Sequence, residues 1–394
     1  MKILFLCHRL PYPPNRGGRI RAFHIIKHLG PDHDITLASL LRSHDDAAAV
    51  QRLQAFTQRQ ILAPVGELRS WLRAVSRVPT LSPSSFAYFY SPQLARSVRR
   101  ALADAYDLVF VHCSSMAGYV EHVRAPAILD FGDMDSRKWL AYGRRKPFPA
   151  SLGYRMEGYK VERAEARAAR RFGLCTTTTR AEAETLERYG AARQIDWFPN
   201  GVDAEYFQPS AVPYDRDTIC FLGSMDYYPN QEAMTWFCER VFAPLRSQRP
   251  GLKLSIIGTK PPRPILRLAE RPGISVTGFV PDVRPFAHRA ALSVAPLRIA
   301  RGTQNKILEA LALGIPVVAS ARAARGVDAV PGEHLLSAGE PSQFIAAITR
   351  ILDDPHERQR LAHAGRQRVL THHDWARSMR QLDALIDACL TSPQ

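Results

Sequence analysis

The segment from Arg301 to Ala319, RGTQNKILEALALGIPVVA, holds the residues best suited to chemistry. An apolar run at 291–296 and a short loop precede it. Gly302 and Thr303 then open a helical pattern, where Thr303 can cap the helix and the first free N–H groups can hold a phosphate. Lys306 can neutralise that phosphate, and Glu309, one turn on, can accept hydrogen bonds from vicinal sugar hydroxyls. Gly314 ends the helix and Pro316 opens the next strand. An ordinary exposed Lys–Glu pair is the bland alternative. The ordered succession of strand, loop, Gly-Thr, Lys, Glu and Gly-x-Pro-Val-Val favours a phosphate and sugar site.

Three further positions fit the same chemistry. The loop HRLPYPPNRGGRIR ends in Gly17 and Gly18 before a helical pattern at 19–29, a turn at which the backbone can approach a phosphate closely. A purely structural tight turn is an equal reading of that loop. His112 closes the apolar run DLVFVH, at the carboxyl end of a strand, where parallel sheets build their sites. Asp133 and Asp135 follow another strand end and can bind hydroxyls, cap a helix or sit in solvent. The dipeptide Asn200-Gly201 reads as a turn.

Short apolar runs alternate with amphipathic stretches over most of the chain. Strands are expected at 2–7, 34–40, 60–65, 107–112, 126–130, 174–179 and 195–198, and again at 218–222, 252–257, 274–279, 291–296 and 316–319. Such alternation indicates parallel sheets covered by helices, hence an α/β chain with two tandem, doubly wound, Rossmann-like domains and a cleft between them. The boundaries read as 1–203, a polar linker at 204–217, a second domain at 218–375 and a C-terminal helix at 376–394 that can pack back on the first domain.

The chain of 394 residues carries a formal charge of +16, with 53 basic against 37 acidic residues. The excess lies mostly in residues 1–190, which suits an anionic surface such as lipid headgroups. No nucleic-acid-binding signature appears, so nucleic acid is not an expected partner. The six cysteines form no CxxC pair and read as reduced, buried thiols. No apolar run approaches the roughly 20 residues that span a bilayer, and MKILFLC lacks a cleavage site behind it, so a strand rather than a signal peptide is expected.

One stretch, ELRSWLRAVSRV at 67–78, places Leu68, Trp71, Leu72, Val75 and Val78 on one helical stripe and Arg69, Arg73 and Arg77 on another face. It can pack in a core with its basic face solvated, or lie in a lipid interface. Arg144, Arg145 and Lys146 can add to the same surface.

LEALALGIPVVAS resembles the C-terminal signature of family 4 glycosyltransferases with the GT-B fold, and Pro199–Asp203 resembles that family's PNGVD segment. Gly17-Gly18 is similar to its N-terminal glycine loop, His112 to a histidine at the end of a central strand, and Phe221–Met225 to the first strand of the donor-side domain. The opening HRLPYPPNRGGRIR, with DFGDMDSRKW at 130–139 and FLGSMDYYPN at 221–230, resembles the narrower group of sugar transferases associated with exosortase and PEP-CTERM systems. The resemblance implies a transfer from a nucleotide-diphosphate sugar to a glycan or polyprenyl-diphosphate-linked acceptor, with retention of configuration and no cofactor or bound metal. It implies cytoplasmic exopolysaccharide assembly, peripheral at the inner face of the membrane. It also implies that Glu309 holds the ribose, that Gly302, Thr303 and Lys306 hold the diphosphate with Gly17, Gly18 and Gly223, and that His112 lies near the transferred sugar. Asp133 and Asp135 are the acceptor-side candidates. Arg301 stands where many members have a glutamate, and Lys260 or Lys306 must replace the phosphate-binding pair that SMDYYPN lacks. An epimerase or phosphorylase on the same fold, or a catalytically silent nucleotide-sugar binder, are the alternatives.

Overall fold

The computed structural model describes residues 1–42, 47–121 and 123–391. The chain divides into two compact units, Met1–Pro199 with Ser378–Gln394, and Asn200–Arg377.

The first unit is a seven-stranded parallel sheet: β1 (Lys2–Cys7), β2 (Asp34–Leu41), β3 (Arg59–Pro64), β4 (Leu108–His112), β5 (Ala127–Gly132), β6 (Leu174–Thr177) and β7 (Ile195–Trp197). Their spatial order is β3-β2-β1-β4-β5-β6-β7. The central strands are covered on both faces, which is why KILFLC and LVFVH read as continuous apolar runs rather than alternating ones. Phe5 and Phe110, side by side on β1 and β4, stack with ring centroids 5.1 Å apart. The edge strands β3 and β7 are only partly buried.

The second unit repeats the plan with six strands, β8 (Asp215–Leu222), β9 (Lys253–Ile257), β10 (Ile274–Val276), β11 (Ala290–Ala295), β12 (Val317–Ser320) and β13 (Leu336–Ala338), in the order β10-β9-β8-β11-β12-β13. In both sheets the winding reverses beside the first strand, between β1 and β4 and between β8 and β11. Loops that leave neighbouring strands there in opposite directions open a crevice at the carboxyl ends, the usual ligand position in such sheets.

The structure departs from the sequence reading at four places. β13 was not expected: three residues bounded by polar turns carry too little periodicity to stand out. Residues 204–217 are not a free linker but part of the second unit. Tyr206 donates to Asp282 at 3.1 Å and lies under the Arg284 guanidinium, and β8 already begins at Asp215. Asn200-Gly201 is not a tight turn. Val202 bridges Asp374, and a Cβ on Gly201 would come within 2.6 Å of the Trp375 ring, so the glycine makes room for that indole. Finally, the stripe of Leu68, Trp71, Leu72 and Val75 is not core. The helix Glu67–Ser76 buries only Ser70 and Ala74 and turns its large apolar side chains to solvent.

The C-terminal helix, Trp375–Thr391, joins the first unit from Ser378 onward. Gln381 donates to the Trp197 carbonyl at 2.8 Å, and Asp383 pairs with His28 at 2.8 Å. Residues 392–394 of the expected tail lie outside the described residues. All six cysteines are free, and five are buried.

Candidate functional site

On the first unit the site forms around His112 at the end of β4. Its Nδ1 lies 2.8 Å from Asp130 Oδ2 on β5. Arg21 grips the same carboxylate with two bonds, Nε to Oδ2 at 2.8 Å and Nη2 to Oδ1 at 2.9 Å, and Thr176 Oγ1 donates to Oδ1 at 2.9 Å. Asp130 is fully buried. Burial alone would raise its pKa, but the Arg21 charge and the bonds from His112 and Arg21 outweigh that and hold it well below the usual carboxylate range.

An ionised carboxylate only accepts, so the His112 Nδ1 carries the hydrogen. In the neutral ring Nε2 then presents a lone pair. That nitrogen is buried and has no hydrogen-bond partner among the described residues. A Cβ on Gly18 would stand 3.7 Å from it, so the start of the helix Gly17–Leu29 runs alongside. The N-cap residue of that helix, Arg16, makes no side-chain cap bond. A buried ring nitrogen whose hydrogen-bonding capacity is unspent, beside a helix start, is suited to a hydroxylated ligand.

Asp133 and Asp135 lie on the loop after β5. Asp133 accepts from Thr178 Oγ1 at 2.8 Å, and Asp135 begins the helix Asp135–Gly143 and pairs with Lys138 at 2.6 Å. Asp135 is thus engaged in a local ion pair at a helix start, where a carboxylate also favours the helix dipole.

On the second unit the site forms between the turn after β8 and the helix Asn305–Ala312. Lys306 Nζ donates to Asn230 Oδ1 at 2.5 Å and lies 4.7 Å from the Phe221 ring centroid. Asn230 is itself fixed by donating to the Ser224 carbonyl at 2.7 Å. Gly223 has φ +156°, and a Cβ there would lie 3.2 Å from Lys306 Nζ and 2.9 Å from Asn230 Nδ2. Only glycine supplies both that backbone angle and that space. Lys260 leaves the end of β9 with a left-handed backbone, φ 54°, next to the same turn, since Met225 N–H donates to the Thr259 carbonyl at 2.8 Å.

Lys306 therefore does not form the ordinary Lys–Glu surface pair. Burial pulls its pKa down to about 7, against the opposing charge of Glu309, and burial likewise pushes Glu309 up to about 7, against Lys306. The Lys306 charge is held at a cost that an anionic ligand would relieve.

Thr303 does not cap the helix. Gln304 is the N-cap residue and makes no side-chain cap bond, because its amide instead donates to the Arg301 carbonyl at 2.7 Å. The loop at Gly302, with φ +55°, turns before the helix starts. Thr303 Oγ1 is left buried without a hydrogen-bond partner among the described residues, and no side-chain bond from the N-cap residue closes the helix start. Arg301 is half-buried in the same loop.

The structure thus gathers Gly17, Gly18 and His112 at one place and Gly223, Lys306, Gly302 and Thr303 at another, with Glu309 one turn beyond. Sequence reasoning missed Arg21, Asp130 and Asn230. The first two had a signal: an arginine on the buried face of an apolar helix, and an aspartate inside an apolar strand. Asn230 closes the segment FLGSMDYYPN, but nothing local in that segment singles it out.

Two Rossmann-like units in tandem, each with its candidate ligand groups at the switch point, define a GT-B architecture. The two units carry glycosyltransferase domains: the family described as Glycosyltransferase Family 4 matches residues 16–206, and the family described as Glycosyl transferases group 1 matches residues 216–354. Among curated proteins the chain is similar to a glycogen synthase of Mycobacterium tuberculosis, 27% identical over 51% of this chain and 50% of that one. It is also similar to a D-inositol 3-phosphate glycosyltransferase of Frankia alni, 26% identical over 48% of this chain and 52% of that one. The chain spans about half the length of the curated relatives it matches. Among solved structures, the sucrose-phosphate synthase of Thermosynechococcus elongatus superposes with a TM-score of 0.74 at 16% identity, covering 98% of both chains. An Anabaena protein in complex with UDP-glucose superposes with a TM-score of 0.70 at 16% identity, covering 98% of this chain and 100% of that one.

Proposed function

We infer that the protein is a glycosyltransferase that moves a sugar from a nucleotide-diphosphate sugar to a glycan or polyprenyl-diphosphate-linked acceptor. The observation that carries this reading is Lys306, held by Asn230 beside the Gly223 turn, at the start of an uncapped helix with an unsatisfied Thr303 hydroxyl. Breaking the sugar–phosphate bond puts negative charge on the departing diphosphate. A preorganised ammonium and N–H groups stabilise that charge as it develops. A dianion would also restore the full charge on Lys306, since its pKa rises when a negative group approaches. Glu309 is placed to accept from ribose hydroxyls. On the first unit, His112 Nε2 accepts from a sugar hydroxyl, with Asp130 fixing the ring.

Retention of anomeric configuration, transfer without a bound metal and a role in exopolysaccharide assembly rest on the family resemblance of the sequence. The exosortase-associated setting rests on the segments 8–21, 130–139 and 221–230. Placement at the cytoplasmic face accords with the absence, among the described residues, of any helix long and apolar enough to cross a membrane.

Calorimetric titration with UDP-, GDP- and ADP-glucose tests the reading. One nucleotide sugar binds, and Lys306→Met weakens it roughly ten- to hundredfold, the loss of a charge-assisted hydrogen bond. UDP is the first choice, because the similar Anabaena protein was solved with UDP-glucose. Binding that survives Lys306→Met unchanged would falsify the donor assignment. Arg301 supports a second reading, a silent nucleotide-sugar binder. Nucleoside diphosphate released only when acceptor is supplied decides for the transferase.

A further inference from the structure

The helix Glu67–Ser76 has a construction unlike the other surface helices. Its inward side chains are small, Ser70 and Ala74. Its outward ones are large: Leu68 is 73% exposed, Trp71 60%, Leu72 62% and Val75 60%. At about 100° per residue these four fall in one arc of about 100°. Arg69 borders that arc on one side, with Arg73 half-buried beyond it and Glu67 on the other side, and exposed Arg77 follows the helix end. A helix stabilised only by its tertiary packing would bury the leucines and expose the serine. This one does the reverse.

A second exposed apolar stripe lies on the helix Ala150–Ala169. Phe148, just before it, is 81% exposed, and Leu152, Met156 and Tyr159 are exposed at helical spacing along it. Lys160, next in rotation to that stripe, donates to the carbonyls of Arg77 and Val78 at 3.1 and 2.7 Å, and Glu157 accepts from Ser84 and Ser85 N–H groups. The second helix is thereby tied to the end of the first. Leu81, in the connecting turn, is 73% exposed. Arg144 and Arg155 are exposed on the same stretch of chain.

We propose that the two stripes form a docking surface for an anionic lipid bilayer, with Leu68, Trp71, Leu72 and Phe148 entering the headgroup boundary and Arg69, Arg77 and Arg144 meeting lipid phosphates. Apolar side chains flanked by arginines, with tryptophan among them, match the two layers of such an interface. Charge selects the bilayer over a second copy of the chain. A two-fold contact brings a patch against itself, so it would set these arginines against one another. The proposal stands apart from the donor assignment, and its test needs no nucleotide.

Co-sedimentation of the full chain with vesicles is the experiment. The protein binds vesicles of phosphatidylglycerol mixed with phosphatidylcholine, binds phosphatidylcholine alone weakly, and is released by salt. The variant L68S/W71S/L72S lowers partitioning at least roughly tenfold, and R69S/R77S reduces the preference for anionic lipid. All three apolar side chains are exposed, so the circular dichroism melt is unchanged. In parallel, vesicles shift the tryptophan fluorescence of the wild type to the blue, and Trp71→Phe, which keeps the apolar face, abolishes the shift. Equal binding by the triple serine variant, absence of binding to anionic vesicles, or a shift that persists in Trp71→Phe overturns the proposal. So does a lipid-free dimer in sedimentation velocity that the triple serine variant dissolves, because a second copy would then cover the face.

Discussion

Replacing Asp130 with asparagine keeps the shape of the side chain and removes its charge. In the wild type that carboxylate is fully buried and answers Arg21, His112 and Thr176 at once. Removing one partner of a buried ion pair costs about 3–5 kcal/mol, because the other charge stays buried. The lower end applies here, since Arg21 keeps the Phe198 carbonyl at 2.9 Å and lies 3.6 Å from the Phe198 ring centroid. About 3 kcal/mol lowers the melting temperature of a unit this size by roughly 6–12 °C. Thermal melts followed by the first unit's tryptophans, Trp71, Trp139 and Trp197, give the readout. The double variant D130N/R21M recovers part of the loss, as removal of both charges leaves neither stranded. The sign with pH is set by the depressed pKa. The carboxylate's contribution is complete above the ordinary value of 3.8 and is lost only as pH falls toward the lower folded value. The wild-type advantage over Asp130→Asn therefore holds at a constant size from neutrality down to about pH 4. A melt within about 2 °C of wild type would refute the reasoning, and so would a double variant less stable than either single one.

Two further outcomes follow from the same geometry. Gly223→Ala puts a Cβ against Asn230 and Lys306 at a backbone angle that costs about 1–3 kcal/mol. It lowers the melting temperature and weakens nucleotide-sugar binding, and calorimetry showing both unchanged would sink the assignment of that turn. Glu165 is buried among Ser136, Tyr189 and the charge of Asp135, and burial pushes its pKa up to about 8. The folded chain then keeps a proton that the unfolded chain releases above about 4.5, so this group's contribution declines as pH rises toward 8. Glu165→Gln gains stability relative to wild type between about pH 5 and pH 8, and melts showing a pH-independent difference would contradict it.

Much of this was legible in the residues themselves. Parallel strands buried on both faces announce themselves as runs such as KILFLC and LVFVH, and ten of the thirteen strands among the described residues exceed three residues. The glycine and lysine of the donor-side segment stood out because a phosphate needs N–H groups and a cation close together in the chain. Such local requirements leave local traces. The Arg21–Asp130–His112 cluster left only faint ones. Its members are 109 and 18 residues apart, and what unites them is that β1, β4 and β5 are neighbours in the sheet while the helix after β1 packs across their ends. The same holds for Asn230 under Lys306, 76 residues away.

Periodicity shows that Leu68, Trp71, Leu72 and Val75 share a face, but a helical period is the same whether that face meets a core or solvent. Which way the helix turns depends on what its neighbours offer, and here Ser70 and Ala74 fill the inward space. The sequence by itself determined the two-sheet architecture and marked the segment from Gly302 to Glu309 as a candidate site, because hydrophobic period and turn residues act over a few positions. Only the tertiary structure decided which nitrogen of His112 is free, what holds Lys306, and that an apolar stripe looks outward, because each depends on groups brought together from distant parts of the chain.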